Sequence, residues 1–544
     1  MVRASPRAGD RTNRRLRVRW PHWAVGGAAV GLAVSVWLPL GVMLWEAFAA
    51  GARLPSFDAR FWTLSGRSLA VASGTAGLAT LIGAPVGYLL ARVELPGRAG
   101  VRALQVGPLL VPPYVAAIGW LHLLGRNGAI NRALMGLLGL STPPLNPYSV
   151  GGAVWVLGMA ACPVVALPFA AALERANPEL EDEARLHGGP WRVLWHVTLP
   201  LALPALISGV LLAWLVALSE FAVPSFFGVN VYTVEVFTRF GAFYDHRAGT
   251  MAAVPLLVLG LAAFWMQRVL NEQRSVAAVE APLSLVPRRY SGRWRWGALA
   301  LCLLPALLGA LLPLAALASR APAPADYAFA WQAANGEVAN SLLFAFLAAA
   351  LAVAAALPIA WLVVRAPARG LGRAAEGLAL APLAVPGLVL GIGMIRLWNR
   401  GLPWQWVYRS PAIVVLGEVA RALPFASVAL AAAWRGLPPA LEDAARLSGA
   451  APLEVGRRLL LPLLRPGAVA AWALAFVAAV SELQTTLLVY PPGAATLPVR
   501  IFTLQHDGTV ENVAALCLIQ VAATALPAAA VWALAGRRER EDEL

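Results

Sequence analysis

Long apolar runs, separated by short segments that carry most of the charge, recur from one end of the chain to the other. Each run has about the length, roughly 20 residues, that a helix needs to cross the hydrocarbon core of a bilayer. The pattern therefore predicts an all-α polytopic membrane protein of about twelve transmembrane helices. The predicted spans are residues 24–47, 69–91, 103–124, 150–172, 203–226 and 250–267, followed by 296–317, 341–364, 377–397, 411–433, 466–488 and 513–535.

The composition indicates the same surroundings for these helices. Of 544 residues, 59% are hydrophobic and only 13% are charged, whereas a soluble chain would need more charge on its surface. The net charge of +15 comes from short basic runs between apolar segments, not from one basic face. We therefore expect the chain to contact membrane lipid and no nucleic acid.

The distribution of basic residues indicates the orientation. With the amino terminus inside, most arginines fall in cytoplasmic segments, as the positive-inside rule requires. The predicted location is the bacterial cell inner (plasma) membrane, as a multi-pass protein with both termini in the cytoplasm. The first apolar run is longer than the roughly 7 to 15 residues of a signal-peptide core, so we favour a retained helix over a cleaved signal.

The chain contains no lysine, so all 43 basic residues are arginine. A nucleotide-binding phosphate loop requires a lysine, and so does Schiff-base catalysis. We therefore predict that the chain is not an enzyme, and that any ATP hydrolysis occurs in a partner. No cofactor and no metal site are expected, because Cys162, Cys302 and Cys517 lie within apolar segments and lack metal-ligand spacing.

An internal repeat divides the chain into two halves. Ser68, Pro85, Arg92 and Pro113 recur 273 residues later as Ser341, Pro358, Arg365 and Pro386, Ile118-Gly119 recurs as Ile392-Gly393, and Ser219-Glu220 recurs as Ser481-Glu482. Because each copy begins after an odd number of spans, both run through the membrane in the same direction. A parallel repeat of this kind predicts a central pathway between the two halves.

The segment between the fourth and fifth spans of each half carries the most specific motif. It reads LEDEARLHGGPWRVLWHVTLP at residues 180–200 and LEDAARLSGAAPLEVGRRLLLP at residues 441–462. Both segments resemble the EAA loops of binding-protein-dependent ABC importer permeases. They depart from that pattern because aspartate replaces its first glutamate in both copies, and because the first copy has Glu183 for an alanine and is one residue shorter before its proline.

In that family the EAA loops form coupling helices that enter grooves on two ABC ATPase subunits. The resemblance assigns ATPase coupling to Glu181, Asp182, Glu183, Ala184, Gly188 and Pro200, and to Glu442, Asp443, Ala444, Ala445, Gly449 and Pro462. An alternative is an amphipathic helix on the lipid headgroups. A helix of that kind favours an arginine-rich polar face, whereas the first loop is mainly acidic, so protein docking is favoured.

Two permease units in one chain, with FAVPSFFG at 221–228 and TTLLVYPPG at 485–493, resemble the ferric-iron branch of these importers. The resemblance implies two parallel-repeated type I permease units and alternating access. A periplasmic substrate-binding protein would deliver the substrate, and separate ATPases would supply the energy. Thiamine, phosphonate and polyamine permeases share similar segments and remain alternatives.

The resemblance also implies a division of the chain. The expected parts are a basic cytoplasmic amino terminus (1–23), the first helix and a periplasmic loop (24–66), the first permease unit (67–267), a cytoplasmic linker (268–295), the seventh helix and a periplasmic loop (296–339), the second permease unit (340–535) and a cytoplasmic tail (536–544).

Four ionisable residues within predicted spans are candidates for the translocation pathway, since charge in hydrocarbon is costly. Glu220 and Glu482 occupy equivalent positions in the two halves, where they could meet a hard cation or could lock helices together. Glu418 and Arg421 lie three residues apart, so we expect them to neutralise each other on one helical face. Aligning the halves places Leu157 and Ala160 at their equivalents, which favours a structural role for this pair.

Two other classes of function need features that are scarce here. An ion-driven secondary transporter would need a buried relay of carboxylates or histidines, and few such residues lie in the spans. A polytopic membrane enzyme would need a clustered catalytic or metal site, but the sequence has no HExxH or GxSxG motif. The ABC importer permease is therefore the leading hypothesis.

Overall fold

The computed structural model describes residues 22–49, 58–176, 178–242, 246–275, 292–365, 369–451 and 454–542. Within these ranges, ten helices are long and apolar enough to cross a membrane. Two bent helix pairs raise the number to twelve if each pair counts as one span. The predicted all-α architecture of about twelve membrane helices is therefore confirmed.

The helices follow the same order in the two halves, so helix n of the first half corresponds to helix n+10 of the second. The first half contains α1 (Val25–Glu46), α2 (Ala59–Arg92), α3 (Arg98–Leu110), α4 (Pro113–Leu138), α5 (Val150–Arg175), α6 (Pro178–His187), α7 (Trp191–Ser219), α8 (Ala222–Phe226), α9 (Tyr232–Phe237) and α10 (Gly249–Leu270). The second half contains α11 (Arg295–Ala318), α12 (Pro324–Arg365), α13 (Gly370–Ala384), α14 (Gly387–Trp398), α15 (Ala412–Arg435), α16 (Pro439–Leu447), α17 (Val455–Val480), α18 (Thr486–Val489), α19 (Leu497–Asp507) and α20 (Val510–Ala530).

The third and ninth predicted spans are not continuous helices. The chain turns by 90° between α3 and α4 and by 104° between α13 and α14. Pro112 and Pro113 lie at the first bend and Pro386 at the second, and proline has no N–H with which to continue a helix. Apolar composition missed these bends because broken backbone is tolerated at membrane depth when it is buried in protein.

The fifth and eleventh predicted spans also end early. Helix α7 stops at Ser219 and α17 at Val480, and a short non-helical turn follows each of them. Glu220 and Glu482 therefore lie in these turns and not inside a continuous span. A short helix, α8 or α18, follows each turn.

Each half is built around three packed helices: α2, α5 and α7 in the first, and α12, α15 and α17 in the second. Small residues allow the helices to approach closely. A Cβ added at Gly83 or Gly87 of α2 would lie 2.8 Å or 2.6 Å from a backbone carbonyl oxygen of α5. Cys162, Cys302 and Cys517 are all buried thiols within this apolar packing.

The halves exchange their first helices. Helix α1 packs on α14 of the second half, while α11 packs on α4 of the first. A Cβ at Gly119 would lie 2.5 Å from the carbonyl oxygen of Pro313, and a Cβ at Gly393 would lie 2.9 Å from that of Pro39. The repeated Ile-Gly of the sequence therefore marks two equivalent helix crossings that join the halves.

We expect Gly119→Ala and Gly393→Ala each to destabilise the protein by about 1–3 kcal/mol, because the added carbon overlaps backbone on the facing helix. Thermal unfolding of the purified chain measures the effect. Gly77→Ala is the matched control, since Gly77 of α2 has no atom within 4 Å of its added Cβ. Equal unfolding midpoints for all three variants would contradict the proposed crossings.

Several expected parts of the chain lie partly or wholly outside the described residues. These are the basic amino terminus (1–23), of which 1–21 are outside, much of the linker (276–291 of 268–295) and the last two residues of the tail. The helices α2 and α12 begin at Ala59 and Pro324, within the loops assigned to 24–66 and 296–339. The division into permease units stays a proposal.

Candidate coupling surface and translocation site

The two motif segments form short helices, α6 and α16, beside the ends of α2 and α12. Each begins at a proline, which is preorganised for the first helical turn and whose missing N–H would be unpaired there anyway. Arg92 at the end of α2 pairs with Glu181 of α6 at 2.5 Å, and Arg365 at the end of α12 pairs with Glu442 of α16 at 3.0 Å. Equivalent ion pairs therefore fix both helices to the membrane bundle.

The two ion pairs differ in burial. The Arg92 and Glu181 side chains are 1% and 2% exposed, and Thr198 Oγ1 donates a further hydrogen bond of 3.0 Å to Glu181. The Arg365 and Glu442 side chains are 14% and 9% exposed. Glu181 and Glu442 thus face the protein interior, where they position the motif helices. Their assignment to an ATPase contact is not supported by this geometry.

Other motif residues do face outward. Asp182 and Glu183 of α6 are exposed, as are Asp443 and Ala444 of α16, while Ala184 and Ala445 are half-buried. Charge and small size at the surface remain compatible with a docked partner. Their role in ATPase coupling stays a prediction.

Sequence reasoning missed an exposed leucine on each motif helix. Leu186 and Leu447 are 83% and 81% exposed and occupy the same place in the two copies. A single exposed leucine needs no explanation, but two at equivalent positions on otherwise polar helices point to a surface that a partner covers. Their matched register in the two loops was the available signal.

The shared glycine has a different role in each loop. Gly449 adopts a φ of +86°, and the Ala450 N–H donates to the Ala445 carbonyl at 3.1 Å, as at a left-handed helix end. Gly188 also follows its helix directly, but a Cβ there would lie 2.8 Å from Cδ of Arg192. Only Gly449 requires the left-handed conformation. Pro200 and Pro462 are exposed near the start of the regular part of α7 and α17.

Glu220 and Glu482 have equivalent local roles in the turns after α7 and α17. Oε1 of Glu220 accepts a hydrogen bond from the Ala222 N–H at 3.0 Å, and Oε1 of Glu482 accepts one from the Thr485 N–H at 2.7 Å. One carboxylate oxygen of each residue therefore holds the following short segment in place. The second oxygen of each is available for tertiary contacts.

The second carboxylate oxygens connect different parts of the molecule. Gln484 Nε2 from the second half donates to Glu220 Oε2 at 3.3 Å, so this hydrogen bond joins the halves. Arg421 Nε lies 3.6 Å from Glu482 Oε2, and Arg421 Nη1 donates to the Val385 carbonyl at 2.9 Å. Arg421 thus neutralises Glu482 and satisfies a carbonyl at the bend between α13 and α14.

The expected pairing of Glu418 with Arg421 is wrong. Arg421 contacts Glu482 instead, and Glu418 is 1% exposed with no hydrogen-bond partner for its Oε2. Spacing along one helix could not show that the bend beside α15 presents carbonyl groups to the guanidinium. Glu418 is therefore a buried acid without a salt bridge.

Tyr114 of α4 completes this group of residues, which we call the central cluster: Tyr114, Glu220, Glu418, Arg421, Glu482 and Gln484. Tyr114 is buried, its hydroxyl has no hydrogen-bond partner, and it is near enough to interact electrostatically with Glu220 and Glu482. The cluster draws on both halves and lies beside the bends and the turns. Within the described residues, no group of three or more His, Cys, Asp or Glu side chains is placed to hold a metal ion.

A membrane bundle with two motif helices at one end and a polar cluster between its halves defines a transport protein. Residues 83–276 match the family of binding-protein-dependent transport system inner membrane components. The chain is 24% identical over 457 residues to the Fe(3+)-transport system permease protein FbpB 2 of Haemophilus influenzae, covering 81% of this chain and 83% of that protein. It is 32% identical over 203 residues to the molybdenum transport system permease protein ModB of Escherichia coli, covering 36% of this chain and 86% of ModB.

The chain therefore belongs to the family of binding-protein-dependent inner-membrane permeases of ABC importers. It is a multi-pass inner-membrane protein, and its partners include an ABC ATPase and a periplasmic binding protein. Its relatives are transport permeases and not enzymes.

Proposed function

We propose that this permease imports ferric iron, delivered by the periplasmic binding protein and driven by two ATPase subunits docked at α6 and α16. The observation that carries the proposal is the pair of equivalent carboxylates, Glu220 and Glu482, at the contact between the halves. Hard cations such as Fe³⁺ prefer oxygen ligands of this kind. Ferric iron is the cargo and is bound only in passing.

The charge of the central cluster supports a cationic cargo. It contains three carboxyl groups, those of Glu220, Glu418 and Glu482, and one guanidinium, that of Arg421. Only Glu482 is paired with that guanidinium. An oxyanion such as molybdate would meet carboxylates at this point, whereas a cation would be attracted.

The extent of the similarity supports the same cargo. The Fe(3+)-transport relative aligns with 81% of this chain, and so with both halves, while the molybdenum relative aligns with 36%. Thiamine, phosphonate and polyamine remain the alternative cargoes. A direct comparison of uptake separates them from iron.

The contacts of the cluster suggest how alternating access would act on it. Opening the pathway separates the halves and breaks the hydrogen bond from Gln484 to Glu220. The Glu220 carboxylate then turns from a hydrogen bond within the protein to the cargo. Closure restores the bond and moves the cation on, while ion pairs at Arg92 and Arg365 transmit the motion of α6 and α16.

The orientation follows from the same proposal. Both termini, the linker and the motif helices lie in the cytoplasm, and the loops before α2 and α12 lie in the periplasm. The positive-inside distribution of arginine supports this arrangement. The parts 67–267 and 340–535 are then the two permease units.

We expect Glu220→Gln with Glu482→Gln to lower iron uptake by roughly 10-fold or more, because the amides keep size and hydrogen bonding but lose charge. The measurement is radioactive iron uptake beside thiamine uptake, in cells that express the whole transporter. Glu511→Gln, an exposed residue at the start of α20, is the control.

Assembly with the ATPase distinguishes the two roles of these carboxylates. Under the proposal, the double variant still co-purifies with the ATPase. Loss of assembly together with normal uptake per assembled complex would make the carboxylates a helix lock. Uptake of thiamine without iron by the unchanged protein would assign another cargo.

A further inference from the structure

A cavity of about 360 Å³ lies behind the motif helix of the first half. It is enclosed by the end of α2, by α6, by the start of α7 and by the residue before α11. The side chains that matter are Tyr88, Arg92, Glu181, Arg185, Thr198 and Trp294. The proposed transport pathway does not use this cavity, since the central cluster lies elsewhere in the bundle.

Arg92 is the informative residue. Its side chain is 1% exposed and lines the cavity, and only its Nη2 is bonded, to Glu181. Its Nε and Nη1 have no hydrogen-bond partner. Buried donors of a charged group are costly to leave unpaired, so this arrangement calls for an acceptor.

The charges around the cavity specify the kind of acceptor. Arg92 and Arg185 supply two guanidinium groups against the single carboxylate of Glu181. That carboxylate is already occupied, because its Oε1 receives hydrogen bonds from both Arg92 and Thr198. One positive charge is left over, and the planar fork of arginine matches a phosphate in geometry.

We propose that this cavity binds a phosphate-type oxyanion, either free phosphate or the headgroup of a phospholipid, held by Arg92 and Arg185 with a hydrogen bond from Tyr88. The bound anion would tie α6 to α2 and to the start of α11, and so stiffen the coupling helix of one half only. This inference goes beyond the proposed import of iron and does not depend on the identity of the cargo.

The second half supports a one-sided site. Trp361 of α12 stands at the position equivalent to Tyr88, is 6% exposed, and brings more bulk and no hydroxyl. Tyr88→Trp therefore introduces into the first half a residue that the other half already accommodates. It removes the proposed donor and fills space while leaving Arg92 and Glu181 in place.

The test uses the purified full chain in nanodiscs of phosphatidylcholine, titrated with inorganic phosphate against chloride at constant ionic strength. A ligand that binds the folded state raises the unfolding midpoint in proportion to its occupancy, so we expect saturable stabilisation by phosphate. Tyr88→Trp and, independently, Arg185→Gln should each weaken the apparent affinity by roughly 10-fold or more. Trp361→Tyr, the reverse exchange in the second half, is the control and should retain the response.

A second arm identifies the source of the anion. In nanodiscs that contain phosphatidylglycerol, a headgroup site would already be filled. Added phosphate would then have no effect, and native mass spectrometry would show lipid retained by the unchanged chain but not by Tyr88→Trp. A site for free phosphate would keep its response in both lipids. Equal responses of the unchanged chain and both cavity variants, or no response with no retained lipid, would overturn the proposal.

Discussion

Replacing Leu186 and Leu447 together by serine is expected to lower the affinity of the permease for its ATPase by at least about 100-fold. Both leucines project from the motif helices and are more than four-fifths exposed in the chain alone. Burying a leucine side chain at an interface contributes about 1.5–3 kcal/mol, and each 1.4 kcal/mol is roughly 10-fold in affinity. Co-purification and ATPase activity of the assembled complex measure the loss.

The control for this variant is Leu137→Ser. Leu137 of α4 is 82% exposed, as the two motif leucines are, but lies on a helix that has no part in the coupling motif. It should assemble normally with the ATPase. If the double variant also assembles and transports normally at normal membrane levels, the exposed leucines are not part of the docking surface.

Removing the buried carboxylate behind the first coupling helix is expected to have the largest effect on local stability. In Glu181→Ala the guanidinium of Arg92 stays buried and loses its counter-charge, which costs about 3–5 kcal/mol. Glu442→Ala should cost less, because Arg365 is more exposed and also donates to the Leu437 carbonyl at 2.5 Å. Hydrogen exchange of the backbone in α6 and α16 measures the difference.

We expect protection of α6 to fall by two to three orders of magnitude in Glu181→Ala, while α16 loses less in Glu442→Ala. Arg92→Met combined with Glu181→Met should restore much of the protection, because an apolar pair of similar size leaves no buried charge. Equal losses in the two halves would contradict the difference in burial. Failure of the double exchange to restore protection would mean that the ion pair does more than position the helix.

The class of protein could be predicted because its signals are local. Apolar runs of bilayer length gave the number of spans, and repeated residues such as Ser68 and Ser341 gave the two halves. These two serines turn out to make the same contact, since each accepts a backbone N–H, from Tyr232 and Leu497 respectively. The family assignment rested on the two motif loops, and the comparisons with known permeases confirm it.

The direction of individual side chains could not be predicted in the same way. Glu181 and Asp182 are neighbours in a single motif, yet one is buried against Arg92 and the other is exposed. Arg421 lies one helical turn from Glu418 but contacts Glu482 in another helix-end turn. Acidic residues look alike in sequence until the neighbouring helices are in place.

The sequence by itself determined that the chain is a membrane protein, that it consists of two similar halves, and that a coupling segment lies in each half. Hydropathy, repetition and motif are properties of contiguous residues, so they survive without a structure. Only the tertiary structure decided where the predicted spans bend, which helices the halves exchange and which carboxylates meet. The ion pair of Arg92 with Glu181 joins residues 89 apart, and the hydrogen bond of Gln484 with Glu220 joins residues 264 apart. Such contacts leave no local pattern, because their energy depends on geometry that exists only after the helices have packed together.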